Sequence, residues 1–443
     1  MSENIAAEKK AKQALATSSG AHAVHDGLSD TLYVLLPVLA EFFGLDKAEA
    51  GLIRSAQRAG MSLFQIPVGL WAERIGERNL LVLGTVLAGL SWIGIGLTAS
   101  IAPLTAPLTE VILSTIAGAG QLLTGTAWSG IQLPPEFTPL LIFCFLLGIG
   151  GAVQHPLAQA LVSKAYPAQG RRVAVGHYNF WGDAGKLLFT GATSLWIGLQ
   201  LPWQAPGIAF GGIAILCALI ILIVLNNIGL GGAPEHLQPT KNDPRPGVEK
   251  GWGVKHKVGF TALCSIKFMD SITRSGFLTF IAFLMIDKGL PKEWAIQALP
   301  VVFVGGMLGK LAFGYIAERF GVFKSVVFAA ITTGAGIFLI ISLPVWVAFI
   351  FMAFVGITLN GVSSVLYGTV GDYIELNKQT RAFGFFYTLG TVAGILAPVL
   401  IGIIYDTAGA NIAMSVVGIL PLLVLPLCLI LRMSERDIES TKA

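Results

Sequence analysis

Asp26, Asp30 and Tyr33 recur at i, i+4 and i+7, so a helix through them presents two carboxylates and a phenol on one face. Three further sets keep helical spacing: Arg54, Gln57, Arg58 and Gln65; Asn179, Asp183 and Lys186; and Lys267, Asp270 and Arg274. Carboxylates held among cations can carry protons, and cations in excess can bind anions. Across the sets and Lys310, six basic residues (Arg54, Arg58, Lys186, Lys267, Arg274, Lys310) face four acidic ones (Asp26, Asp30, Asp183, Asp270), which favours an anionic or zwitterionic solute. The spacing assigns substrate binding to Tyr33, Arg58, Asn179, Lys186, Lys267 and Arg274, and proton coupling to Asp26, Asp30, Asp183 and Asp270. Other chemistries lack their residues. There is no C-x-x-C, no H-E-x-x-H and no G-x-x-x-x-G-K-[ST], so neither a metal ligand set, a cofactor nor ATP-driven work is implied.

These charges interrupt apolar sequence. The chain is 54% hydrophobic and 12% charged, with mean hydropathy +0.74, whereas soluble domains carry about 25% charged residues. Runs long enough to cross a bilayer core of ~30 Å fall at 22–44, 48–73, 79–100, 138–163, 173–199, 205–228, 258–286, 292–317, 323–343, 345–374, 380–405 and 409–431. An ionisable side chain inside such a run costs several kcal/mol unless paired or hydrated, so each is a functional candidate. Arg58 lies about 15 Å into its helix at 1.5 Å per residue, near mid-bilayer. Arg54 is shallower and has the reach to snorkel outward. Bland readings stand beside these: Asp26 suits a helix cap, and the acid–base pairs of spans 5 and 7 suit structural salt bridges. His155, beside a kinking Pro156, suits a structural hydrogen bond as well as proton shuttling. The cysteines, Cys144, Cys217, Cys264 and Cys428, read as packing residues.

A repeat organises the runs. Gly69-Leu70-Trp71-Ala72-Glu73-Arg74-Ile75-Gly76 returns as Gly314-Tyr315-Ile316-Ala317-Glu318-Arg319-Phe320-Gly321, 245 positions later. The same offset makes Asp270 the mate of His25, Arg274 of Ser29 and Lys310 of Gln65. Further on, Arg172, Tyr178 and Gly185 match Arg381, Tyr387 and Gly394 at an offset of 209. The drop locates an insertion, 101–137, in the first half alone. The mates of Asn179, Asp183 and Lys186 are Thr388, Val392 and Ile395, so the span-5 charges are not needed for packing.

Parallel repeats around apolar spans point to an all-α membrane protein of twelve transmembrane helices in two pseudo-symmetric six-helix bundles. With the N-terminus inside, 20 of the 29 Lys and Arg fall on the cytoplasmic side, three opposite (Lys47, Lys288, Lys292) and six within the membrane. The expected organisation is a cytoplasmic tail at 1–21, a first bundle at 22–228, and a non-cytoplasmic excursion at 101–137, read as a hairpin or re-entrant piece over the outer mouth. A cytoplasmic linker at 229–257, a second bundle at 258–432 and a cytoplasmic tail at 433–443 complete it. The N-terminus has no signal-peptide pattern.

The twelve spans, the central loop and the paired G-x-x-A-E-R-x-G loops resemble the major facilitator superfamily, whose loop usually reads G-x-x-x-D-R-x-G-R-R/K; here Glu73 and Glu318 replace the aspartate. That resemblance implies a gating latch of Glu73, Arg74 and Arg78, with Glu318 and Arg319 in the second copy. It also places His25, Asp26 and Asp30 opposite Lys267, Asp270 and Arg274. Within the superfamily, His25-Asp26 and Gly148-x-Gly150-Gly151-Ala152-Val153-Gln154-His155-Pro156, followed by Gly182-Asp183-Ala184-Gly185, are similar to the fosmidomycin-resistance group of exporters, although Leu157 and Asp183 depart from its pattern. The expected function is therefore proton-coupled secondary transport of a small organic solute or drug, by antiport and efflux. The expected setting is a monomer in a bacterial inner membrane, whose partners are substrate, protons and lipid, with no nucleic acid. The alternatives are an importer of an anionic metabolite or metal-related solute, and a non-transporting membrane sensor.

Overall fold

The computed structural model describes residues 2–124, 133–166, 168–232, 253–374 and 379–442, and helix dominates them. The first half holds α1 (Ser2–Phe43), α2 (Lys47–Ile75), α3 (Glu77–Gly96), α4 (Thr98–Thr124), α5 (Phe137–Ala152), α6 (Gln159–Ala165), α7 (Ala168–Gly198) and α8 (Gln204–Asn227). The second holds α9 (Lys257–Asp287), α10 (Lys292–Ala295), α11 (Ala298–Phe320), α12 (Val322–Ser342), α13 (Val345–Tyr373), α14 (Gln379–Ala408), α15 (Ala410–Leu422) and α16 (Val424–Lys442). A π-helical turn, Gln154–Ala158, joins α5 to α6 as one span. Pro156 has no N–H to give an α-helical bond, so the wider turn forms where a kink was expected. With α10–α11 and α15–α16 also taken as single spans, the chain makes two sets of six, and α4 is additional.

Among the described residues, nine helices are long and apolar enough to cross a membrane by composition alone. The three remaining spans are α1, α2 and α7. They carry Asp26 and Asp30, Arg54 and Arg58, and Asp183 and Lys186. Their polar faces lower their hydropathy, and those faces wall the site described below.

The halves mirror each other. α1 packs on α7 as α9 does on α14, α2 on α5 as α11 does on α13, and α3 on α8 as α12 does on α15. The repeated octapeptide closes both α2 and α11 in the same way. Gly76 (φ 87°) and Gly321 (φ 85°) each hold a left-handed turn, and their amides donate to the Ala72 and Ala317 carbonyls at 2.9 and 3.0 Å. Only glycine adopts that φ without strain, which explains the last residue of the motif. The helix crossings use glycine for a different reason, close backbone approach. A Cβ at Gly60 would lie 2.1 Å from the Phe145 carbonyl oxygen, and one at Gly148 would lie 2.0 Å from that of Gln57. In the second half, Gly305 and Gly309 stand in the same relation to Ala353 and Ile357.

Three boundaries differ from the sequence reading. α1 starts at Ser2, so residues 2–21 continue the first span as helix; Ala11, Ala14, Ser18 and Ser19 are buried along it. Asp26 is therefore mid-helix and not a cap. α16 likewise carries helix through the expected C-terminal tail to Lys442. The described part of the insertion up to residue 124 is one long helix, α4. It turns off α3 at Leu97 and packs on α5, where the Thr109 and Thr138 hydroxyls meet at 2.7 Å. Residues 125–132 of the insertion lie outside the described residues.

Because the α2–α5 crossing has no room for a methyl, Gly148→Ala is expected to destabilise the protein by about 1–3 kcal/mol. Thermal denaturation in detergent checks this against Gly212→Ala, where an added Cβ meets nothing within 4 Å. Equal melting of the two variants would refute the close crossing.

Candidate functional site

The two halves meet along α2–α14 and along α7–α11, two junctions related by the repeat. Both are tightest toward the end where α1 gives way to α2. There the Asp406 carboxylate accepts from the Lys47 and Ala48 amides at 3.0 and 2.8 Å, capping α2 from the other half. Lys292 pairs with Glu41 at 2.9 Å, Gln200 donates to Glu293 at 2.7 Å, and Ser194 donates to the Ile296 carbonyl at 3.1 Å. The backbones also touch, since a Cβ at Gly51 would lie 2.3 Å from the Pro398 carbonyl oxygen. This end is shut.

Above the closed end lies a cavity of about 1470 Å³, counting its space open to solvent, that reaches toward the opposite end as far as Gln65, Tyr367 and Tyr387. Its walls come from α1, α2, α5 and α7 of one half and α9, α11, α13 and α14 of the other. Five cationic side chains line it (Arg58, Lys186, Lys267, Arg274, Lys310) against three carboxylates (Asp26, Asp30, Asp183).

The carboxylates are already occupied. Asp183 takes Lys310 across the α7–α11 junction at 2.6 and 2.7 Å, and Lys186 of its own helix at 3.4 Å. Lys186 also reaches Asp26 at 3.1 Å. Asp30 is 3.2 Å from Arg54. Arg54 does not snorkel. It is fully buried, stacked 3.7 Å from the centre of the Tyr33 ring, donates to the Ser29 carbonyl at 2.7 Å and also bonds Gln57. That leaves Arg58 and Arg274, one from each half, lining the cavity with no carboxylate in ion-pair range among the described residues. Arg58 meets the Tyr33 phenol and lies along Gly394, where a Cβ would touch its Cδ at 3.6 Å. Lys267 is fully buried, 3.6 Å from Asp270 and 4.8 Å from the centre of the Tyr367 ring; Tyr367 stacks on Tyr387 at 4.6 Å.

Most of the sequence candidates converge here: Tyr33, Arg58, Lys186, Lys267, Arg274, Asp26, Asp30 and Asp183 all line the cavity. Asn179 does not. Its side chain is exposed on α7, one turn from Asp183 and outside the lining. Asp270 turns instead into a small, mostly apolar pocket between α9, α12 and α13, so it is not opposite Asp26 across the cavity. Arg78 donates to Asn79 and Asn226 at 3.1 and 2.8 Å, and Glu77 pairs with Lys164, all within one half. Arg74, Glu318 and Arg319 are exposed, and the Glu73 side chain lies outside the described residues.

Two residues escaped the sequence reading. Asp406 caps a helix 359 positions away, a relation no local pattern carries. His22 sits one turn before Asp26, its Nε2 3.3 Å from Asp26 Oδ2, and the His22–Asp26 spacing of i, i+4 was available as a signal. His155 approaches Asp26 Oδ1 at 3.6 Å from the π turn, whereas His25 is bonded to Thr85 at 2.8 Å.

Losing the cross-half cap should loosen the closed end. Asp406→Ala is expected to cost that end about 1 kcal/mol, roughly a fivefold shift toward opening. The check is the labelling rate of Ser55→Cys by a membrane-impermeant maleimide, since Ser55 is buried in this junction with its hydroxyl on the Ile395 carbonyl at 2.6 Å. A rate unaffected by Asp406→Ala would show that the cap does not hold the end shut.

Comparisons with known proteins agree with this architecture. The Major Facilitator Superfamily model matches residues 19–124, 97–312 and 263–443. The chain is 21% identical over 420 residues to a probable galactarate/D-glucarate transporter of Escherichia coli (strain K12), covering 88% of this chain and 86% of that one. It is 25% identical over 416 residues to a D-galactonate transporter of Escherichia coli O6:H1, covering 86% and 87%. With a 4-hydroxybenzoate transporter of Acinetobacter baylyi it shares 23% identity over 363 residues, covering 74% and 71%. Its fold matches, with a TM-score of 0.73 at 14% identity, the crystal structure of a bacterial homolog of the human lysosomal transporter Spinster in an inward-facing, unoccupied conformation, covering 97% of this chain and 98% of that one. The chain thus belongs to the Major Facilitator Superfamily, as an integral, multi-pass membrane transporter and not an enzyme.

Proposed function

We propose that this chain carries a small organic anion, bearing at least one carboxylate, across a membrane by alternating access of the central cavity, and that protons drive it. The observation that carries the reading is the pair Arg58 and Arg274, guanidiniums from opposite halves lining one cavity without a carboxylate partner among the described residues. A guanidinium presents a fork that fits a carboxylate through two parallel hydrogen bonds. An anion bridging both would draw the halves together at the open end, which is the movement alternating access requires. Ser29, Gln57, Gln65, Asn360 and Thr391 add hydrogen-bonding groups for the rest of the solute. The relatives named for galactarate, D-galactonate and 4-hydroxybenzoate support the same class.

Asp26 is the proton site in this reading. A proton on Asp26 cancels one of the three cavity carboxylates and leaves the charge of Lys186 less compensated. The cavity then attracts an anion more strongly, so proton and anion bind together and move in the same direction. The 20-to-3 distribution of Lys and Arg supports cytoplasmic termini and a cavity opening to the cytoplasm. In a bacterial inner membrane, such symport gives uptake. Export is the second reading, favoured by the likeness of Gly148–Pro156 and Gly182–Gly185 to the fosmidomycin-resistance exporters.

Binding is tested with galactarate, D-galactonate and 4-hydroxybenzoate on purified protein. The expected result is that at least one binds, and that Arg58→Met and Arg274→Met each weaken it by roughly 10- to 100-fold, the 1.5–3 kcal/mol of a hydrogen bond to a charged group. A dissociation constant unchanged in both variants would move the site elsewhere.

Coupling is tested in proteoliposomes. An acid exterior should drive accumulation by the wild type, and Asp26→Asn should abolish this response while exchange of labelled for unlabelled solute persists. Accumulation driven by an acid interior would establish the export reading instead, and indifference to pH gradients would remove proton coupling.

A further inference from the structure

Around Asp26 the geometry points to a second ligand site, independent of the solute's identity. We propose that His22, Asp26 and His155 bind a divalent transition metal ion of the zinc type, with its open coordination position facing the cavity.

The first support is the state of His22. Its ring is buried, 3% exposed, and stacked on Tyr178 with ring centres 4.1 Å apart. Its Nδ1 lies 2.9 Å from the Tyr178 carbonyl oxygen, which can only accept, so Nδ1 carries the hydrogen. In the neutral ring, Nε2 then keeps its lone pair, and this buried nitrogen has no hydrogen-bond partner among the described residues. It faces Asp26 Oδ2 at 3.3 Å. Two lone pairs so placed repel unless a proton or a metal ion lies between them. A ring nitrogen fixed by a backbone carbonyl on its far side is also how metal-bound histidines are commonly oriented.

The second support is convergence. His155 enters from another span, through the π turn, with Nε2 3.6 Å from Asp26 Oδ1. The three ligand atoms lie within 4.8 Å of one another. Tetrahedral zinc with ligands at about 2.0–2.1 Å sets neighbouring ligand atoms roughly 3.3 Å apart, so a small movement of the part-exposed His155 ring completes the set. A proton on Nε2 would pair His22 with Asp26 alone, whereas a metal ion would use His155 as well. Lys186, 3.1 Å from Asp26 Oδ2, opposes a cation there, but it has a second carboxylate in Asp183 at 3.4 Å. An arriving ion therefore has a route to displace it. His25, bonded to Thr85, is not a ligand.

Full-length, tag-free protein is titrated with Zn2+ by calorimetry, and with Co2+ by visible absorption, which reports four-coordinate nitrogen and oxygen ligation. The expected result is one ion per chain, with binding weakened at least tenfold by His22→Gln and by His155→Gln and retained by His25→Gln. Because His22 is buried, size exclusion establishes that its variant is folded. If it is not, His155→Gln, whose side chain is 38% exposed, decides alone through the Co2+ spectrum. No stoichiometric binding to the wild type, or unchanged affinity in the folded variants, would overturn the proposal, as would equal loss in His25→Gln.

Discussion

The contact on which the rest depends is the ion pair between Asp183 and Lys310, which spans the two halves at the depth of the cavity. The pair is part-buried, the Lys310 side chain 34% and the Asp183 side chain 15% exposed, so desolvation offsets much of the Coulomb attraction and its net worth is small. Such a pair is therefore conditional: its worth depends on the charges beside it. Here the neighbour is Lys186, which divides itself between Asp183 and Asp26. In the proposed reading, neutralising Asp26 would release Lys186 toward Asp183, where it would compete with Lys310 for the same oxygen. Asp26 is thus linked to the junction of the halves through one side chain, over contacts of 3.1, 3.4 and 2.6 Å.

The scaffold makes this possible by keeping everything else tightly packed. The helix pairs within each half meet at glycines with no room for a methyl, so each half moves as a unit. Movement is left to the two junctions between them. The closed end is held by surface-accessible polar contacts, Asp406 on the α2 amides and Lys292 on Glu41, each worth about 1 kcal/mol or less. Contacts of that size can be made and broken within a transport cycle.

Much of this was legible in the sequence, and the failures share a cause. Helical spacing brought the carboxylates and cations onto common faces, and the repeat offset paired the halves and exposed the insertion. What spacing could not give is partnership across space. Arg54 had the reach to snorkel, but Tyr33, Asp30 and the Ser29 carbonyl form a site for it inside. Asp270 shares a helical face with Lys267, yet its carboxylate turns into a pocket on the far side of α9. His22 was hidden because polar composition up to residue 21 reads as a tail, although small buried residues, Ala11, Ala14 and Ser18, let the helix continue.

The repeat's broken mates now have a physical meaning. Gly185 and Gly394 correspond, but they face different surroundings. Gly185 lies against the Ala23 carbonyl of α1, where a Cβ would sit at 2.0 Å, whereas Gly394 makes room for Arg58 of the other half. The mate of Lys186 is Ile395, whose carbonyl takes the Ser55 hydroxyl. At α2–α14 the halves meet through the Asp406 carboxylate on the Lys47 and Ala48 amides, the Ser55 hydroxyl on the Ile395 carbonyl and Arg58 along Gly394, with no ion pair among the described residues. At α7–α11 the equivalent surface carries Asp183 and Lys186 against Lys310. The two junctions related by the repeat thus differ: α7–α11 carries an ion pair between the halves, and α2–α14 shows none among the described residues. In the proposed proton-coupled reading, titration would act at α7–α11, because Lys186 joins Asp26 to Asp183 there, whereas the α2–α14 contacts involve neither Asp26 nor Lys186.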